Sequence, residues 1–248
     1  MTATAKEQPN GLPLFYQKPV ALDKGVHAKT MVTTEMTLSF AAKVNAVPVT
    51  IVELPQLMQH YPIAFSAAAP ATPLAVLGLR DGENLFVNKK GEWLADTYIP
   101  AYIRRYPFIF ARNETGDKLT LCIDDADGIL KEKNGNALFD DKGEPSPLTA
   151  NALEFCRSYQ VAAEQTQLFS ASIEASNILV ERHVEMRQPD GNVLTLSGFR
   201  QVDEEKFYQL PEATVLDWHK NHWTSSIYAH LYSAGNWGKL FKMMAERK

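Results

Sequence analysis

Two adjacent arginines, Arg104 and Arg105, stand among tyrosines in the run Tyr98-Ile99-Pro100-Ala101-Tyr102-Ile103-Arg104-Arg105-Tyr106-Pro107-Phe108. A guanidinium group can hold a carboxylate or phosphate through two parallel N–H donors, and an aromatic ring beside it supplies a flat apolar wall. The pattern therefore suits an anionic ligand, either a peptide or a small molecule. Trp93 lies just upstream, and the candidate ligand-binding set is Trp93, Tyr98, Tyr102, Arg104, Arg105 and Tyr106. Read as a helix over 98–106, with Pro100 near its start and Pro107 beyond its end, the segment puts Tyr98, Tyr102, Arg105 and Tyr106 near one stripe. Arg104 is then turned away by roughly 100°. The competing reading is structural: Arg105 stacks on a tyrosine or pairs with a buried carboxylate.

Other chemistries find less support. His219 and His222 would share a helix face, a spacing that metal sites use, but no third ligand is placed and no metal site is assigned. Asp124, Asp125 and Asp127 lack the ligand pattern of a calcium loop and read as a solvated turn. There is no Gly-x-Ser-x-Gly elbow, no phosphate-binding loop and no dinucleotide fingerprint, so no catalytic residue and no cofactor is assigned. An acid–base enzyme of unrecognised type would draw on His60, Tyr102 or His230. Cys156 falls beside Phe155 on an apolar helical face and reads as packing.

The whole chain limits the partners. Its net charge of −4 and pI near 5.9 argue against a general nucleic-acid binder. With 248 residues, 45% of them hydrophobic, it can bury a core without disulfides. The two cysteines, Cys122 and Cys156, fit reduced thiols in a cytoplasm. The N-terminal residues lack the pattern of a secretory signal. The longest stretch free of Asp, Glu, Lys and Arg, 54–79, carries Pro55, Pro62, Pro70 and Pro73, which excludes a clean bilayer-spanning helix. A soluble cytoplasmic protein is expected.

The elements that must position these residues read as α+β. Residues 1–14 form a flexible tail, and 15–248 a single domain with a subdomain boundary in the polar loop 124–147. Strands are expected over 35–40, 63–66, 74–80, 84–87, 108–112 and 118–123, with Asp81-Gly82 and 88–91 as turns. Thr50 and Glu53 have capping-box spacing ahead of a short helix that Pro62 ends. Thr149 would cap a long helix whose Phe155, Tyr159, Ala162, Thr166, Phe169 and Ile173 form one face. Strands over 179–188 and 193–200 flank the hairpin signal Pro189-Asp190-Gly191-Asn192. Asp203 and Pro211 start short helices, and two more helices follow at the C-terminal end. The architecture is thus a mixed or antiparallel sheet-rich first part with short helices, then a long helix, a further hairpin and a helical end.

The central run, together with Asn84-Leu85-Phe86-Val87 and Gly91-Glu92-Trp93, resembles the signature of the SapC-like family of bacterial proteins, named for a surface-layer locus. His60-Tyr61-Pro62-Ile63, Gly198-Phe199-Arg200 leading into Val202-Asp203-Glu204, and Tyr228-Ala229-His230-Leu231 extend the resemblance colinearly over roughly residues 15 to 240. The resemblance supplies no catalytic residues. It implies a gene neighbourhood of halogenase-like and cupin-like enzymes, and hence an accessory protein that binds a peptide or anionic small molecule for such partners. Two alternatives stand beside it: an enzyme of peptide or small-molecule modification, and a surface-layer or export-associated component. The aromatic residues of the last helices leave a homo-oligomer open.

Overall fold

The computed structural model describes residues 11–112, 118–187, 191 and 193–247. These fall into two compact units: the described residues of 38–102 and 162–247, and those of 11–37 and 103–161. Among the described residues no helix is long and apolar enough to cross a membrane.

The first unit is built on a five-stranded antiparallel sheet. Its strand order is Leu179–Arg187, Val193–Val202, Ile63–Ser66, Pro73–Val76 and Ala46–Pro48. Ile63, Ala64 and Phe65 are buried in succession, as expected of a strand covered on both faces. One cover is the C-terminal part of the long helix Pro147–Ala175. There Ala162, Thr166, Phe169 and Ile173 recur at steps of four and three and are all buried. Thr166 belongs to this face because its hydroxyl is doubly satisfied, donating to the Ala162 carbonyl at 2.7 Å and accepting from Ile51 N–H at 3.0 Å. Phe65 meets Phe169 with ring centroids 6.2 Å apart.

Arg200 locks the sheet to that helix. Its guanidinium forks onto Glu174 at 2.7 and 2.9 Å, and its Nε donates to the Ser66 carbonyl at 2.9 Å. Glu174 also accepts from Ala71 N–H at 3.0 Å, and the arginine holds its carboxyl below the usual glutamate range. Only a planar fork fills all these positions. Arg200→Lys is therefore expected to cost about 1 kcal/mol, and Arg200→Ala about 2 kcal/mol, with Glu174 and the Ser66 carbonyl left without their donor. Equilibrium urea unfolding checks this; equal stability of the two variants would show that the fork geometry contributes nothing.

The second unit holds two three-stranded antiparallel sheets. One runs Pro19–Ala21, Leu119–Asp124, Phe108–Arg112; the other runs Leu130–Lys131, Met31–Thr33, Gly135–Ala137. Gly135 lets its strand approach closely, since a Cβ there would stand 2.5 Å from the Val32 carbonyl oxygen.

The antiparallel sheets, the long helix and the helical C-terminal end make this an α+β fold. Several local readings hold. Asp203 accepts from Lys206 N–H and caps Glu204–Tyr208. Thr50 donates from both N–H and hydroxyl to Glu53 at the start of the turn leading to Leu54–Leu57. The strands Leu179–Arg187 and Val193–Val202 pair antiparallel, while their hairpin residues 188–190 and 192 lie outside the described residues, as do residues 1–10 of the expected tail.

Others need correction. The strand expected over 35–40 is replaced by a 3-10 turn, Leu38–Ala41, because the i→i+3 bond from Ala42 N–H to the Ser39 carbonyl closes locally. Residues 84–87 form no strand. The turn at Asp81-Gly82 does bring Leu85 N–H to the Leu77 carbonyl, but the Asn84 amide then turns inward to Ala41 O and Phe86 N–H. The loop 124–147 contains two short strands that pair with Met31–Thr33. The long helix begins at Pro147, with the Ser146 hydroxyl accepting from Thr149 N–H; the Thr149 hydroxyl bonds instead to the Leu138 carbonyl. The helix Glu212–Lys220 ends before His222, whose φ is +60°, so His219 and His222 do not share a helix face.

Candidate functional site

The helix expected over 98–106 is a single turn, Ala101–Arg104. Tyr106 N–H bonds back to Ile103 O and Phe108 N–H to Arg105 O, turning the chain into the strand Phe108–Arg112. Pro107 enforces this end, having no N–H to continue a helix and disfavouring α backbone at Tyr106. The division between the units falls inside the short helix, after Tyr102.

Trp93, Tyr98 and Tyr102 consequently belong to the first unit. Trp93 stacks on Phe86 with centroids 5.9 Å apart and donates from Nε1 to the Tyr61 hydroxyl at 3.3 Å. Tyr61 donates in turn to the Tyr98 carbonyl, and the Tyr98 hydroxyl donates to Glu53 at 3.0 Å. Glu53 also accepts from Ala101 N–H at 2.6 Å, which fixes the start of the helical turn. Tyr102 is buried.

Arg104, Arg105 and Tyr106 belong to the second unit and come together at a cleft of about 460 Å³. Arg104 is exposed, with its guanidinium carbon 5.1 Å from the Phe155 ring centroid. Arg105 is half-buried between two tyrosines, 4.5 Å from the Tyr159 centroid and 5.7 Å from that of Tyr16. All three are favourable cation–π contacts of roughly 0.5–2 kcal/mol each.

Tyr106 aims inward. Its hydroxyl donates to Asp124 Oδ2 at 2.9 Å, and burial together with that carboxylate holds the phenol well above the usual tyrosine range. Asp124 is fully buried, and its carboxylate also accepts from Gln17 N–H at 3.0 Å and Lys18 N–H at 2.6 Å. The solvated turn expected here is thus an internal anchor. One carboxylate ties the N-terminal segment, the strand Leu119–Asp124 and the residue next to Arg105 together, and both of its oxygens accept. Tyr16 completes the anchor by donating to the Phe108 carbonyl at 2.6 Å.

The rest of the cleft comes from the strands around Val32 and Asn136 and from the first turns of the long helix. Val32, Met36, Leu148 and Phe155 give apolar walls, and Asn136 and Asn151 contribute side-chain amides. Among the described residues that line the cleft, Arg104 and Arg105 alone carry charge. Sequence reading missed Asn136, Asn151 and Phe155 as cleft residues. Asn151 and Phe155 stand one helical turn apart on the long helix, which is the signal that could have joined them.

The residues of an acid–base alternative have other surroundings. His230 is buried, accepts from Val202 N–H at Nε2 at 3.1 Å and packs against Phe65 at 5.0 Å. His60 lies edge-on to Tyr61, its pKa lowered by burial and by Lys239. Burial pushes the Cys156 thiol up to about 11, which makes it a poor nucleophile at neutral pH. Among the described residues no group of three or more His, Cys, Asp or Glu side chains could hold a metal ion.

Comparison with curated proteins and with solved structures finds no match to this chain. The run around Arg104 and Arg105 lies inside a family match of wide extent: the SapC model covers residues 22–240, nearly the whole chain, and the chain belongs to the SapC family.

Proposed function

We propose that this protein is a cytoplasmic accessory protein that binds an anionic small molecule or peptide in the Arg104–Arg105 cleft and presents it to partner enzymes. One observation carries the reading. Two adjacent cationic side chains, each stacked on an aromatic ring, line a cleft with no acidic residue among its described lining residues. In a chain of net charge −4, that makes the cleft a local site of positive potential. A volume of about 460 Å³ suits a small ligand or the end of a peptide. Binding is favoured over acid–base catalysis because arginine stays protonated and Tyr106 is held as a donor to Asp124, so the walls supply charge and shape but no group that titrates near neutrality.

Calorimetric titration with benzoate, with benzyl alcohol as the neutral control, tests this. Benzoate is expected to bind saturably and more weakly at high salt, and benzyl alcohol not to bind. Arg104→Ala should weaken benzoate by at least about tenfold, because removing one charge-assisted contact costs about 1.5–3 kcal/mol, and should lower stability only by about 0.5–1 kcal/mol through its exposed Phe155 contact. Arg105→Ala should lose both binding and stability, the latter by about 1–2 kcal/mol, through its two tyrosine contacts. No saturable benzoate binding, or equal binding by the Arg104→Ala variant, contradicts the proposal.

A further inference from the structure

The two amides beside the arginines narrow the ligand class. Asn136 lies on the strand Gly135–Ala137 and Asn151 on the first turns of the long helix, and both line the cleft. Both are exposed, and neither side chain makes a hydrogen bond within the described residues. A carboxamide offers an N–H₂ donor and a C=O acceptor in one plane, which complements the C=O and N–H of a secondary amide. A bare carboxylate or phosphate uses only donors, so the acceptor half of each amide has no role toward it. The apolar walls from Met36, Leu148 and Phe155 add a place for a hydrocarbon side chain.

We infer that the cleft recognises an N-acylated α-amino acid end: a free carboxylate, the secondary amide one carbon away and an apolar side chain between them. Arg104 and Arg105 take the carboxylate, Asn136 and Asn151 take the amide, and the Met36–Phe155 walls take the side chain. This rests on the proposed anion-binding role and deepens it from charge alone to a defined pair of groups. The C-terminus of a peptide and a free N-acyl amino acid present the same chemistry.

Titration calorimetry with four ligands separates the outcomes. The probes are N-acetyl-L-leucine, its C-terminal amide N-acetyl-L-leucinamide, 4-methylpentanoate, which keeps the carboxylate and drops the amide, and a hexapeptide ending in leucine. N-acetyl-L-leucine is expected to bind at least about tenfold tighter than 4-methylpentanoate, the gain of one or two well-formed hydrogen bonds. The leucinamide should not bind measurably. The double variant Asn136→Ala/Asn151→Ala should erase the difference between N-acetyl-L-leucine and 4-methylpentanoate. Asn151→Asp should abolish binding of both by placing a carboxylate in the cleft, and unfolding curves check that each variant is folded. Tighter binding of the hexapeptide assigns the peptide end as the source, and equal binding assigns the small acyl amino acid. Equal affinity for N-acetyl-L-leucine and 4-methylpentanoate, or a difference that survives the double asparagine variant, overturns the inference and leaves the arginine reading intact. Binding by neither carboxylate removes both.

Discussion

Asp124→Ala is expected to destabilise the protein by about 3 kcal/mol or more, a larger loss than any substitution of the cleft arginines. Its carboxylate is fully buried and accepts from Gln17 N–H, Lys18 N–H and the Tyr106 hydroxyl. Alanine leaves one buried and two part-buried donors without their acceptor, and a fully buried donor without an acceptor costs about 1–3 kcal/mol. Asp124→Asn can keep its oxygen at the Oδ1 position for Gln17 and Lys18 N–H and set its NH2 beside the Tyr106 hydroxyl, which can turn to accept, so its loss should be smaller than that of alanine. Tyr106→Phe removes a single donor and should cost about 1 kcal/mol. Urea unfolding of the three variants measures the order, and an Asp124→Ala protein as stable as wild type would mean that these segments are held by packing alone. The same network bears on function, because it fixes the backbone at the residue that follows Arg105. Tyr106→Phe should therefore weaken benzoate binding modestly, although the Tyr106 hydroxyl is committed to Asp124.

The second large effect is a fall in stability as pH drops from about 6.5 toward about 4, carried by His230. Burial holds its imidazole neutral and lowers its pKa from 6.5 to about 4. In the unfolded chain the ring takes a proton near 6.5, so between these values the unfolded state binds more protons and stability decreases with falling pH. The contribution is fully present above the unfolded value and lost on passing through the folded one, about 3 kcal/mol in all. Glu174 adds its own loss at lower pH, below its ordinary value of 4.5, because Arg200 holds its carboxyl down. His60, whose pKa burial and Lys239 also lower, contributes with the same sign above pH 4.5, so the His230 share is read as the difference between wild type and a His230 variant. His230→Gln keeps an acceptor for Val202 N–H and has no proton to take, so its stability should fall clearly less from pH 6.5 to 4.5 than that of the wild type. An unchanged slope in that variant would assign the pH dependence to other groups.

The sequence patterns that proved informative are local ones. Asp203 is followed three residues later by the N–H it caps, and Thr50 stands three residues from the Glu53 carboxylate it donates to, so spacing alone reveals them. The buried face Ala162, Thr166, Phe169 and Ile173 is likewise set by helical period. Asp124 is the opposite case. Its backbone partners Gln17 and Lys18 lie more than a hundred residues away in the chain, at separations of 107 and 106, and nothing in the run Asp124-Asp125-Ala126-Asp127 distinguishes the buried carboxylate from its neighbours. The segment around Arg104 was legible in its chemistry but not in its geometry. Pro100 and Pro107 delimit an expected helix over 98–106, whereas the bonds around Arg105 turn the chain after one turn, and Trp93, Tyr98 and Tyr102 fall in one unit and Arg104, Arg105 and Tyr106 in the other. The amide of Asn136 reaches the cleft through the pairing of its short strand with Met31–Thr33, which a polar, turn-rich stretch does not announce.

The central claim is that the cleft beside Arg104 and Arg105 is the binding site. Amide and side-chain NMR signals followed during a titration with N-acetyl-L-leucine test it most directly. The arginine Nε–H signals of Arg104 and Arg105, and the side-chain amides of Asn136 and Asn151, are expected to shift together along one saturable curve. Shifts confined to the separate cleft of the first unit, around His222 and Trp223, would contradict the account.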